Sequence, residues 1–176
     1  MPSALPALCP SRFLPVLPFD TVACMFDVIL LLHSWLRWPA LIAGIVAIAT
    51  AFASRPIGAE KTAADRWGAI FVGLLDLQML LGLLLYVVLS PTTAAIRQDF
   101  GAAMRDPVAR FWAVEHISLM VVAVIVAHVG RVMVRKARTP GAKRTRMLIS
   151  YTIATIAILV AIPWPGMRAG RPLFRV

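Results

Sequence analysis

Two histidines carry the clearest chemical possibility in this sequence. His33 lies about five residues into the first long apolar segment, and His116 about five into the third. At a helical rise of about 1.5 Å per residue, both lie roughly 8 Å below the same membrane face, provided the first and third segments run in parallel. A neutral imidazole is a standard axial ligand of haem iron. Two of them leave no open coordination position, so a bis-histidine b-type haem would move electrons rather than bind oxygen. The rival reading of the pair is two imidazoles that hydrogen-bond across a helix bundle. His128 is 12 residues beyond His116, about 18 Å along the helix and 120° around it, so those two cannot share one iron. His128 is the weaker alternative ligand, and a contact beside Gly130 and Arg131 explains it as well.

Other polar residues gather near the histidine level. Glu115 is level with His116, Arg37 lies about 15 Å down, and Asp76 and Gln78 on the second segment lie roughly 16–20 Å down. A charge at that depth normally pairs inside the bundle. Arg37 is expected to meet Asp76, because the two segments are sequential and antiparallel, with Glu115 as the rival partner. His33 and Arg37 are four residues apart and share a helix face. The candidate cofactor site is therefore His33, His116, Arg37, Glu115, Asp76 and Gln78, with His33 and His116 as metal ligands. A carboxylate could orient a ligating imidazole, or join a proton path to a quinone. A buried strut between segments explains the charges equally well.

The elements that must position these residues follow from composition. The chain has 176 residues, 60% of them hydrophobic and 15% charged, with a mean hydropathy of +0.83. An average soluble domain is about a quarter charged. A transmembrane helix needs about 20 apolar residues, and four stretches qualify, near 27–53, 67–89, 111–134 and 147–163. The sequence thus predicts an all-α integral membrane protein, a four-helix up-down-up-down bundle spanning residues 25–166, with the lipid bilayer as its surroundings. Short connections favour that order, with spans 1 and 3 parallel and diagonal. Pro91, Pro107 and Pro163 punctuate the spans. Pro39 predicts a kink in the first, since it cannot donate to the carbonyl of Trp35.

Residues 1–24 hold five of the 13 prolines, which argues against a helix there. They read as a disordered extension, with Met25 as an alternative start. Residues 167–176 read as a short basic tail. The net charge of +10 does not indicate nucleic acid, because the cations sit in short loops. Ten Lys and Arg lie in the 1–2 and 3–4 connections, against seven on the other side. The positive-inside rule then puts the 3–4 loop in the cytoplasm and both termini outside, in a bacterial inner membrane. Cys9 and Cys24 form no C-x-x-C-H motif, which argues against covalent c-type haem. Phosphate-loop, H-E-x-x-H and G-x-S-x-G motifs are absent as well, so an electron carrier or subunit fits better than a stand-alone enzyme.

The segments HSWLRW (33–38), LLDLQMLLGLLLY (74–86), FWAVEHISLM (111–120), AHVGR (127–131) and IPWP (162–165) resemble a family of small four-span bacterial membrane proteins often labelled cytochrome B. More distantly, the chain is similar to the larger four-span b-type cytochromes. The family resemblance covers most of residues 26–176. It implies that His33, Arg37, Asp76, Gln78, Glu115, His116, His128 and Arg131 belong to the family pattern, and that haem b is the cofactor. The expected function is membrane electron transfer through haem b between spans 1 and 3, exchanging with quinone or a partner redox protein. Two other functions stay open. One is a haem-free accessory or assembly subunit of a larger respiratory or photosynthetic complex. The other is a small proton-coupled transporter using Asp76 and Glu115.

Overall fold

A computed structural model describes residues 18–53 and 62–174. Helix α1 (Pro18–Ala53) opens on a proline, a residue that loses no hydrogen bond in a first turn. It therefore starts well before the expected residue 27, and of the extension expected over 1–24, residues 1–17 lie outside the described part. Helix α1 continues through Pro39 without a break. Helix α2 (Ala63–Leu84) starts at a reciprocal cap. Thr62 Oγ1 accepts from the Asp65 backbone N–H at 3.3 Å, and the Asp65 carboxylate accepts from the Thr62 N–H at 2.9 Å. Such a box satisfies two donors that the first helical turn would otherwise leave open.

A π-helical turn at Leu85–Leu89 prolongs α2. Two short helices follow, α3 (Pro91–Gln98) and α4 (Phe100–Arg105), then α5 (Pro107–Arg110) and a second π-helical turn at Phe111–Glu115. This turn runs straight into α6 (His116–Arg135), and α7 (Pro140–Ala161) completes the chain of helices. Three starts use the same two-residue device. Ser90–Pro91, Asp106–Pro107 and Thr139–Pro140 each place an accepting side chain at the cap and a proline just inside the helix, the preferred order.

Helix α7 begins at Pro140 rather than near 147, because its basic first turns find acceptors. Arg144 donates to the carbonyls of Ala51 (3.1 Å) and Phe52 (2.8 Å) at the end of α1. Arg146 donates to Met133 near the end of α6 at 2.6 Å. Carbonyls in a last turn lack helical partners and carry the negative end of the helix dipole. The same basic residues that mark this loop therefore extend the helix.

Among the described residues, four helical segments are long and apolar enough to cross a membrane: Thr21–Ala53, Ala63–Leu89, Pro107–Arg135 and Pro140–Ala161. The chain is an all-α, multi-pass four-helix bundle. Helix α1 packs on α2 and α7, and α6 packs on the same two, so spans 1 and 3 are diagonal. The faces that meet are built from small residues, among them Ala43, Ala47, Ala127 and Ala154, each at most 1% exposed. Phe71 and Tyr151 fill the centre edge to face, 5.8 Å between centroids. At Gly130 a β-carbon would overlap the side chain of Ser150, so α6 and α7 approach as closely as a glycine allows. Membrane helix pairs gain little from lipid exclusion and depend on such close packing.

The two ends of the bundle differ. At the Asp65 end, Lys143 Nζ donates to Asp65 Oδ2 at 2.6 Å and Arg131 donates to the Asp65 carbonyl at 3.1 Å. This links α2, α6 and α7. The opposite end holds His33 and His116 and is capped by the start of α3 and the segment after α7.

Candidate functional site

His33 and His116 meet at the centre of the capped end, their ring centroids 6.5 Å apart and their planes at 69°. They reach inward from diagonal helices. Both line one cavity of about 330 Å³, within the usual size range of small-molecule sites.

Local chain chemistry fixes His116. Its Nδ1 lies 2.8 Å from the carbonyl oxygen of Ala161. That oxygen can only accept, so Nδ1 carries the proton and the neutral ring presents Nε2 as its lone pair. The carbonyl is available because its helical donor would be residue 165, a proline, which has no N–H. Pro163 does the same to Leu159, whose carbonyl accepts from Trp164 Nε1 at 2.8 Å. The IPWP sequence thus strips two carbonyls of their helical donors and supplies one replacement itself. His116 supplies the other. Phe111 and Trp112 flank the His116 ring at 5.8 and 5.6 Å.

His33 is held by a different logic. Gly82 faces it, and a β-carbon there would sit 3.0 Å from His33 Cε1. Gln78 Nε2 donates to the His33 carbonyl at 2.9 Å, tying α2 to α1 at this level. His33 Nδ1 and Gln78 Oε1 are both buried and make no hydrogen bond. Unmet polar atoms are uncommon in buried positions, and these two belong to residues lining the same cavity.

The cavity wall has a marked charge bias. Arg37 and Arg171 line it, and among the described residues no Asp or Glu does. Arg37 Nη2 donates to the Leu173 carbonyl at 2.9 Å. Arg171 lies over the Trp112 ring at 5.3 Å. Both contacts involve the segment after α7, which folds back along α1. There Phe174 stacks on Trp38 at 5.3 Å and tilts against Trp35 at 5.5 Å. The stretch expected as a tail is thus part of the cavity wall, for the described residues up to 174.

The two pairings expected of Arg37 are replaced by others. Arg37 does not pair with Asp76. Residues 76 and 78 are about 200° apart around a helix, and Gln78 takes the face towards α1, so Asp76 points away. Asp76 instead meets His128 on the outside of the bundle, Oδ1 to Nε2 at 2.6 Å. His128 accordingly does not face the cavity and is not placed to replace either histidine as a ligand. Glu115 does not reach Arg37 either. It pairs with Arg110 at 2.7 Å, five residues back across a π-helical turn whose repeat puts i and i+5 on one face. Glu115 therefore points away from the cavity that its neighbour His116 enters. Of the six expected cofactor-site residues, His33, His116, Arg37 and Gln78 share the cavity, and Asp76 and Glu115 lie outside it.

No protein-family model, curated protein or solved structure matches this chain.

The sequence reading missed several lining residues. Tyr86 and Trp112 sit on the two π-helical turns, and Arg171 on the segment after α7. The turns leave no sequence signal. The paired prolines 163 and 165 do, since they imply carbonyls in need of outside donors. Among the described residues, no three His, Cys, Asp or Glu side chains come together. The two imidazoles alone fall short of the three or four protein ligands of a closed or catalytic zinc site.

Proposed function

We propose that the cavity holds a flat, metal-centred macrocycle, haem b, between His33 and His116, and that the protein carries electrons within a bacterial inner membrane. One observation carries this reading: two imidazoles from diagonal spans converge 6.5 Å apart in one apolar cavity. His33 and His116 would hold the metal of that group from two helices, through bonds of about 2.0 Å to ring nitrogens. A ligand set of two is sufficient when the metal brings four nitrogens of its own.

The residues fit that group in three respects. His116 has its Nδ1 proton committed to Ala161, the arrangement that orients a ligating imidazole and raises its basicity. His33 Nδ1 is buried without a hydrogen-bond partner, and Gly82 makes room for the ring. Arg37 and Arg171 offer two cations, and no carboxylate among the described lining residues competes for them. Guanidinium groups recognise carboxylates well, so these two would hold the acidic side chains of the macrocycle. When bound, the group would supply a one-electron couple with no open coordination position. The protein's own part is to orient both imidazoles, exclude water with Met120, Ile117 and Ile158, and neutralise the acidic end.

The basic α6–α7 connection then faces the cytoplasm and the histidine end faces outward. The electron partner would be a quinone or another membrane redox protein. The test is a reduced-minus-oxidised spectrum of the detergent-purified protein after expression with haem supply. The expected result is a b-type difference spectrum that His33→Ala and His116→Ala each abolish. A saturated preparation without haem bands sinks the proposal.

A further inference from the structure

The Asp76–His128 pair lies on the wrong side of the bundle for a protein that meets lipid on all its outer faces. The two side chains are about half exposed, 51% and 48%. Depth can be read from α2 itself. Asp65, at the clasp with Lys143 and Arg131, marks the polar end. Asp76 is 11 residues further on, about 16 Å into the bundle at helical rise. It is also two residues from Gln78, which bonds the His33 carbonyl. The pair is therefore at hydrocarbon depth. Its neighbours on the same wall are apolar and exposed: Leu77 and Leu80 on α2, Ile125 and Val129 on α6.

Ionisable side chains at that depth almost always face protein or a water-filled space rather than lipid. So something covers the α2–α6 wall. We infer that a second copy of this chain does, through a two-fold contact centred on Asp76, His128 and Gly73. The wall carries a carboxylate and an imidazole side by side. A two-fold axis brings each against its complement in the partner, so one patch serves as both halves of the contact. Close approach is built in. Gly73 is exposed, and a β-carbon there would meet nothing within 4 Å. Ala69 lies one turn before it on the same exposed stripe, a small-xxx-small spacing that lets membrane helices touch backbones. The exposed glycine and the exposed polar pair thus have one explanation. The inference does not depend on haem.

The experiment uses the full chain in nanodiscs and in mild detergent, with mass from sedimentation or native mass spectrometry. A mass of two chains is expected, with at least tenfold weaker association in Gly73→Trp, whose added bulk points into open space within the monomer. A thiol-specific cross-linker should join Gly73→Cys into a dimer well above the wild-type background. Ile153→Cys, on the exposed side of α7, should stay at background. A single-chain mass, or a dimer that Gly73→Trp leaves intact, overturns the inference. So does cross-linking through residue 153 instead of 73, or capture of a different protein by Gly73→Cys in native membranes.

Discussion

Replacing Gly130 by alanine adds one methyl group at the tightest contact between α6 and α7. The new carbon would fall on Cβ and Oγ of Ser150, with the Ser150 Cα 3.7 Å away. Ser150 cannot give way by a simple rotation, since its Cβ is fixed to the α7 backbone. Carbon atoms prefer about 3.5–4.0 Å, so the helices must separate by more than an ångström. The contacts beside Gly130, through Ala123, Ala127 and Val134, would then open. A radial gap of about 0.5–1 Å already forfeits a quarter to a half of the dispersion well. Overpacked cores cost about 1–3 kcal/mol, and this site belongs at the upper end because the obstacle is near the backbone. At about 2–4 °C per kcal/mol for a chain of this size, thermal unfolding in detergent should fall by roughly 4–12 °C. The double variant Gly130→Ala with Ser150→Gly removes the obstacle and should recover most of that loss, giving a coupling of about 1–2 kcal/mol. If Gly130→Ala melts with the wild type, or Ser150→Gly fails to rescue it, the packing argument for this helix pair is wrong.

Three further outcomes are expected. Gly82→Val pushes into His33, so it should weaken haem retention while leaving the helical circular dichroism unchanged; retention equal to wild type would refute the role given to Gly82. The protein should bind protoporphyrin more tightly than its dimethyl ester by roughly tenfold or more, as charge-assisted hydrogen bonds contribute about 1.5–3 kcal/mol. Arg171→Gln should narrow that gap, and equal binding of acid and ester would remove both arginines from the proposed role. Thr62→Ala deletes the cap of α2 and should cost about 1 kcal/mol of stability, read by thermal unfolding, with no effect on any haem spectrum.

The sequence made the spans legible because burial in lipid demands long apolar runs, and the prolines marked where several of them end. It also made the histidine pair legible, since equal depth on parallel spans needs only counting. What counting could not reveal was rotation about each helix axis. Gln78 and Asp76 were equally good candidates for the face towards α1, and nothing in the local sequence says which one wins. Glu115 was misread for a related reason, as a π-helical turn changes the repeat from which a facing direction is inferred. Arg171 was unreadable because the return of the last segment along α1 rests on long-range stacking with Trp35 and Trp38. The early start of α7 was hidden by charges that looked like loop and act as bridges to helix ends.

The π-helical turn at Phe111–Glu115 has a genetic consequence. Such a turn is an α-helix carrying one surplus residue, and His116 is the first residue after it. Whether that imidazole meets His33 or looks into lipid is therefore a matter of reading-frame-sized steps along the polypeptide. Removing a single codon from 111–115 would relax the turn to α-helix and swing everything on one side of it by about 100°. No substitution at these positions has that leverage. In a collection of related chains, the length of this short stretch would report the fate of the site better than the identity of its residues.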